Sequence, residues 1–221
     1  MGDAKTETSH TDLSGGRGTF RGTLFVILSA VIFGTMPLMT KTLFAHGGNS
    51  YTAAFYRFAV GGLILLFISK AVLKQKILTD SKTLLHVAGL SISYAVMLAL
   101  LYSSYAYMDT GLATTLHFLY PAAVILMRFL FFRLKPSKRE LLCLALALLG
   151  GALLGIQSAG GSLLGMILAV TSGIAYAFYI VFDPKSRAVS MNPFVLAFWI
   201  SLFAAAILAV FNTAAGTWQF P

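Results

Sequence analysis

Long, nearly uninterrupted apolar runs constrain this chain more than any motif in it. They cover residues 22–45, 51–71, 84–105, 112–132, 141–156, 163–182 and 194–211. Each is close to the roughly 17–25 residues that a helix needs to cross a bilayer, with a residue or two of fraying in the fifth and seventh. In hydrocarbon a backbone can satisfy its own N–H and C=O groups within one segment only as a helix. The expected fold is therefore an all-α integral membrane protein, a polytopic helical bundle of seven spans. Composition agrees: 58% of residues are hydrophobic and 10% charged, against about 25% charged in soluble domains. The first run is too long for a signal-peptide core and ends without a small-x-small cleavage site, so it is expected to stay attached as a helix.

The connectors give the bundle a direction. Those at 46–50, 108–111 and 157–162 carry no Lys or Arg. The others hold Lys70, Lys74, Lys76 and Lys82, then Arg133, Lys135, Lys138 and Arg139 around Pro136, then Lys185 and Arg187. With Lys5, Arg17 and Arg21, and with Arg128 counted in the cluster around Pro136, every basic residue except Lys41 and Arg57 falls on one side, which the positive-inside rule assigns to the cytoplasm. The expectation is a multi-pass protein of the plasma membrane with its amino terminus cytoplasmic and residues 1–21 a disordered tail. The net charge of +9 is thus a topology signal and not a nucleic-acid footprint, because the cations lie between apolar runs.

Short connectors make consecutive helices antiparallel neighbours and leave no room for a catalytic head. No GxxxxGK[ST], HExxH, CxxC or GxSxG pattern occurs, and none of the seven acids lies deep in a run. An enzyme is not expected, nor a cofactor or metal. Cys143 reads as a small hydrophobe in an apolar helix. A channel would need a ring of like side chains, which one asymmetric chain lacks unless it oligomerises.

Sliding the chain against itself by 143 residues pairs Gly22 with Gly165, Ser29 with Ser172, Asn49 with Asn192, Ala54 with Ala197, Phe55 with Phe198, Ile64 with Ile207 and Leu65 with Leu208, without a gap. Five helices lie within the shift. An odd number makes the second copy enter from the opposite face, the inverted duplication of secondary transporters. The domains expected are a tail (1–21), a five-helix repeat (22–156) and the first two helices of a second, inverted repeat (163–221).

Residues 34–41, Phe55-Tyr56-Arg57-Phe58, Gly111-Leu112-Ala113, Tyr120-Pro121, the basic turn before Gly150-Gly151, and 165–179 together resemble an EamA-like member of the drug/metabolite transporter superfamily. The resemblance covers roughly 22–212. It implies ten helices as two inverted five-helix repeats, a central cavity, and alternating access for a small organic metabolite without direct use of ATP. The chain departs from the family pattern at Phe132-Arg133, where relatives often carry Gly-Glu, so no role is carried over for that acid. It also holds only two helices of the second repeat. A fragment of a longer transporter is expected, the alternative being a truncated non-transporting or regulatory membrane protein.

Polar residues within the runs are the candidate substrate-binding groups, since they are costly unless they face protein or water. Arg57, about two turns into its helix, is expected to line the cavity and bind an anionic or zwitterionic solute such as an amino acid. Lys41 reads equally as a cavity cation or as a side chain snorkelling to the headgroups. Thr114, His117, Pro121 and Arg128 share one helical stripe, with His117 read either as a packing residue or as a proton carrier. Pro121 and Pro37 are expected helix breaks that free the carbonyls of His117 and Phe33. Tyr56, Tyr94, Tyr120, Tyr176, Tyr179 and Trp199 would supply aromatic walls. Gly151 and Gly155 form a small-xxx-small pair, read as close helix packing, with a homodimer contact as the alternative.

Overall fold

The computed structural model describes residues 14–157 and 162–219. Its α-helices are α1 (Ser14–Ala45), α2 (Ser50–Phe67), α3 (Ser81–Ser104), α4 (Thr110–His117), α5 (Tyr120–Phe132), α6 (Lys138–Gln157), α7 (Leu163–Phe182) and α8 (Pro193–Ala215). A π-helical turn, Ile68–Val72, extends α2, and two short 3-10 turns join α7 to α8. No strand occurs among the described residues. Six segments are long and apolar enough to cross a membrane: Gly22–Ala45, Ser50–Val72, Ser81–Ser104, Thr110–Phe132, Leu163–Phe182 and Pro193–Ala215. The chain is an all-α polytopic membrane protein.

The structure departs from the sequence reading in several places. Helix α1 begins at Ser14, so residues 14–21 are helical and not a disordered tail, while 1–13 lie outside the described residues. Once the apolar run has nucleated a helix, adding residues at its end costs little. The run read as a fifth span is helical as α6, but its first turn holds Lys138, Arg139 and Glu140, and it is not among the six spans found in the described residues. Gly151 and Gly155 lie in α6, with their packing outside the described residues. Helix α1 runs through Pro37 without interruption, so no break forms there. A proline removes one N–H, and the bonds flanking it suffice to carry the helix onward with at most a kink.

Two compact units divide the chain between Met36 and Pro37. In the first, α1 exposes Phe25, Val26, Ile27 and Leu28 in succession. A helix apolar on every side suits lipid.

In the second unit, each span begins where a short polar side chain caps it. Asn49 accepts from the Thr52 amide at 2.8 Å, Asp80 from Thr83 at 3.1 Å, Asp109 from Gly111 at 2.8 Å, Ser162 from Gly165 at 3.1 Å and Asn192 from Phe194 at 3.0 Å. Each cap contributes about 1 kcal/mol. Asn49 and Asn192, paired by the 143-residue shift, do the same job at the starts of α2 and α8. These two helices run antiparallel: Asn49 donates to the Thr217 carbonyl beyond the end of α8, the Tyr51 ring meets Phe211 at a tilt, and Gly62 meets Ser201. Small residues set that contact, with Ala54 and Ala204 fully buried, because between helices in lipid close van der Waals packing replaces the hydrophobic drive.

Helix α3 is central, packing on α2, α7 and α8. In the turn after its end, the Tyr107 carbonyl accepts from the Ser162 amide (3.3 Å), and near its start His86 accepts from the Arg187 amide (3.3 Å), so α3 and α7 are antiparallel. The Lys- and Arg-free starts of α2 and α4, with Ser162 before α7, therefore gather at one end of this unit and the basic connectors at the other.

Candidate functional site

The fourth span is broken. Pro121 has no N–H for the His117 carbonyl, and α4 gives way to α5 through a turn at Phe118 and Leu119. This is the predicted break, and it ends the stripe drawn through the span. Thr114 and His117 lie on one side of it, while Arg128 is exposed beyond it and paired with Glu140 at 2.9 Å. Helix α7 fits against the break through Gly173. A Cβ there would stand 2.9 Å from the His117 carbonyl oxygen.

His117 is 2% exposed, and its Nδ1 lies 2.9 Å from the Ser172 hydroxyl. That hydroxyl has one proton and donates it to the Ala169 carbonyl at 2.6 Å. It must therefore accept from His117, which puts the ring proton on Nδ1 and leaves Nε2 with the lone pair in the neutral ring. Around this pair stand Tyr176 (ring centroids 5.7 Å from His117) and Tyr120 (6.0 Å), which lie 4.8 Å from each other. Tyr94 joins from α3, 6.1 Å from Tyr176 and 5.1 Å from Tyr179. Five residues singled out in the sequence thus form one aromatic cluster at the junction of α3, the α4–α5 break and α7.

Arg57 forms a second polar group. Its guanidinium donates to the Tyr102 hydroxyl at 3.1 Å. The Tyr102 ring packs on Tyr105 at 5.7 Å, and the Tyr105 hydroxyl donates to Thr114 at 3.0 Å, since the Thr114 hydroxyl proton is already given to the Thr110 carbonyl at 2.7 Å. Two hydrogen bonds joined by a ring contact therefore run from α2 across the end of α3 to α4, one turn from His117.

Three expected site residues stand elsewhere. Lys41 and Tyr56 are exposed, and Trp199 donates its indole N–H to the Ile77 carbonyl at 3.0 Å, which pins the basic connector after α2 onto α8. Ser172, Gly173, Tyr102 and Tyr105 were not among the sequence candidates. Their signals were present: Thr171-Ser172-Gly173 interrupts an apolar helix, and Tyr102 and Tyr105 sit three apart in a buried helix end. Among the described residues no His, Cys, Asp and Glu side chains gather as a metal site.

The sequence pattern of the EamA-like transporter family matches residues 20–156. A protein of Synechocystis sp. described as an uncharacterized transporter is 36% identical over 118 residues, which is 51% of this chain and 35% of that relative. The chain spans about a third of the length of the curated relative it matches. No solved structure matches the chain.

Proposed function

Because this chain belongs to the EamA-like transporter family, we propose that it serves as a secondary permease for a small organic metabolite with an anionic or zwitterionic head. Alternating access in the plasma membrane, with the amino terminus inside, is the mode of action we infer. The observation that carries the reading is Arg57, a permanent cation within a span whose fork is oriented by the Tyr102 hydroxyl. Supporting it, His117 and four tyrosines stand together at the broken helix, where α3, α4 and α7 meet. Irregular backbone at membrane depth is tolerated where protein or a water-filled cavity receives it. The aromatic rings offer walls for the body of a solute, and Arg57 a charge for its head.

Proteoliposome uptake of a panel of radiolabelled amino acids tests this. A charge-assisted hydrogen bond is worth about 1.5–3 kcal/mol, so Arg57→Gln should cut flux roughly 10- to 100-fold. Arg57→Lys keeps charge without the planar fork and should fall between. Wild-type flux from a normally inserted Arg57→Gln protein would refute the assignment.

A further inference from the structure

At the basic end of the second unit, the connector after α2 and the start of α8 border an open pocket of about 400 Å³. One wall carries Lys74, Gln75, Lys76 and Thr79, and the facing wall carries Ser190 and Asn192. No acid lines it. Neither lysine joins an ion pair among the described residues. The nearest carboxylate in sequence, Asp80, is occupied in capping α3, held by the Thr83 hydroxyl at 2.6 Å and amide at 3.1 Å.

The connector is held in place on both sides of the lysines. The Gln75 amide donates to the Ser69 carbonyl at 2.8 Å, and Trp199 grips the Ile77 carbonyl at 3.0 Å. Lys74 sits in the left-handed region at φ 50°, where glycine is the easier residue. The facing wall adds one neutral donor, Asn192, since the Ser190 hydroxyl already donates to the Arg187 carbonyl at 3.1 Å. Asn192 spends its carbonyl oxygen on the Phe194 amide at 3.0 Å, and its NH₂ donates to no partner among the described residues.

We propose that this cavity binds a phosphate-bearing anion. Two ammonium groups with the Asn192 amide and the Thr79 hydroxyl beside them, and no guanidinium fork, suit a tetrahedral oxyanion more than a planar carboxylate. The cavity lies at the ends of α2 and α8, where a phospholipid headgroup or a soluble phosphorylated solute can both reach it.

The test uses the purified chain in phosphatidylcholine nanodiscs. One arm titrates a fluorescent phosphatidic acid, the other inorganic pyrophosphate. Lys74→Asn with Lys76→Gln removes both charges, and Asn tolerates the left-handed backbone. Lys70→Gln with Lys82→Gln, outside the cavity, controls for bulk charge. Each lysine near such a group contributes roughly fivefold, so the cavity pair should weaken binding roughly 25-fold. Loss confined to the lipid arm identifies a headgroup site, and loss in the pyrophosphate arm a solute site. Thr79→Trp, which fills the cavity and keeps both lysines, should give the same loss, and it decides the matter if the double variant misfolds. Equal losses in the two lysine pairs, or no saturable binding in either arm, overturn the proposal.

Discussion

Substituting Gly173 by alanine should destabilise the second unit, against the usual gain from placing Ala in a helix. That gain is about 0.5–1 kcal/mol. At Gly173 the new Cβ meets the His117 carbonyl oxygen at 2.9 Å, with the Tyr120 nitrogen and Cβ at 3.6 Å. The close atoms are backbone at the α4–α5 break and cannot rotate away, so the overpacking cost falls in the upper part of the usual range of about 1–3 kcal/mol. The net loss is about 1–2 kcal/mol. Gly62 is a milder case, with Ser201 Cβ at 3.2 Å, and Gly61 has nothing within 4 Å. Reversible unfolding in mixed micelles should therefore rank Gly61→Ala above wild type, Gly62→Ala near it and Gly173→Ala below. If Gly173→Ala matched Gly61→Ala, helix α7 would not be seated on the break, and the reading of the site as a junction would fail.

Ser172→Ala removes the acceptor of the buried His117 N–H and should cost about 1–3 kcal/mol in the same unfolding assay; an unchanged midpoint would show that His117 is satisfied otherwise. Asp183, whose buried Oδ1 has no hydrogen-bond partner among the described residues, is pushed above its ordinary 3.8 by burial. The folded state then holds that proton more tightly than the unfolded one, so thermal stability should fall as pH rises from 3.8 through the raised value, and Asp183→Asn should flatten that slope. A pH profile identical in the two proteins would dismiss the effect. In a Cys143→Ser background, an impermeant thiol reagent on intact cells should label His46→Cys and spare Lys135→Cys; the reverse pattern would invert the topology inferred from the basic connectors.

What the sequence determined by itself is what the bilayer makes local. Backbone groups in hydrocarbon must bond within their own segment, so run length and polarity alone marked the six spans, while the seventh run, α6, opens on Lys138, Arg139 and Glu140 and is not among them in the described residues. Pro121 acts on the carbonyl four residues before it, which made the α4–α5 break legible, whereas Pro37 shows that a proline marks where a break is permitted and not where one occurs. The gathering of His117, Tyr94, Tyr120, Tyr176 and Tyr179 was legible in kind, since a mid-span hydroxyl or imidazole has to face protein. Their partners were not. Helical spacing fixes the face a residue lies on but not which helix meets it. Arg57 therefore finds Tyr102 45 residues away, Trp199 reaches Ile77 122 residues away, and Ser172 becomes the acceptor that sets the His117 tautomer. Lys41 is a cation and Tyr56 a tyrosine within the apolar runs, yet both lie on exposed faces. Only the packing of α3 against α2, α7 and α8 decided which polar groups met, because that choice rests on contacts between segments far apart in the chain.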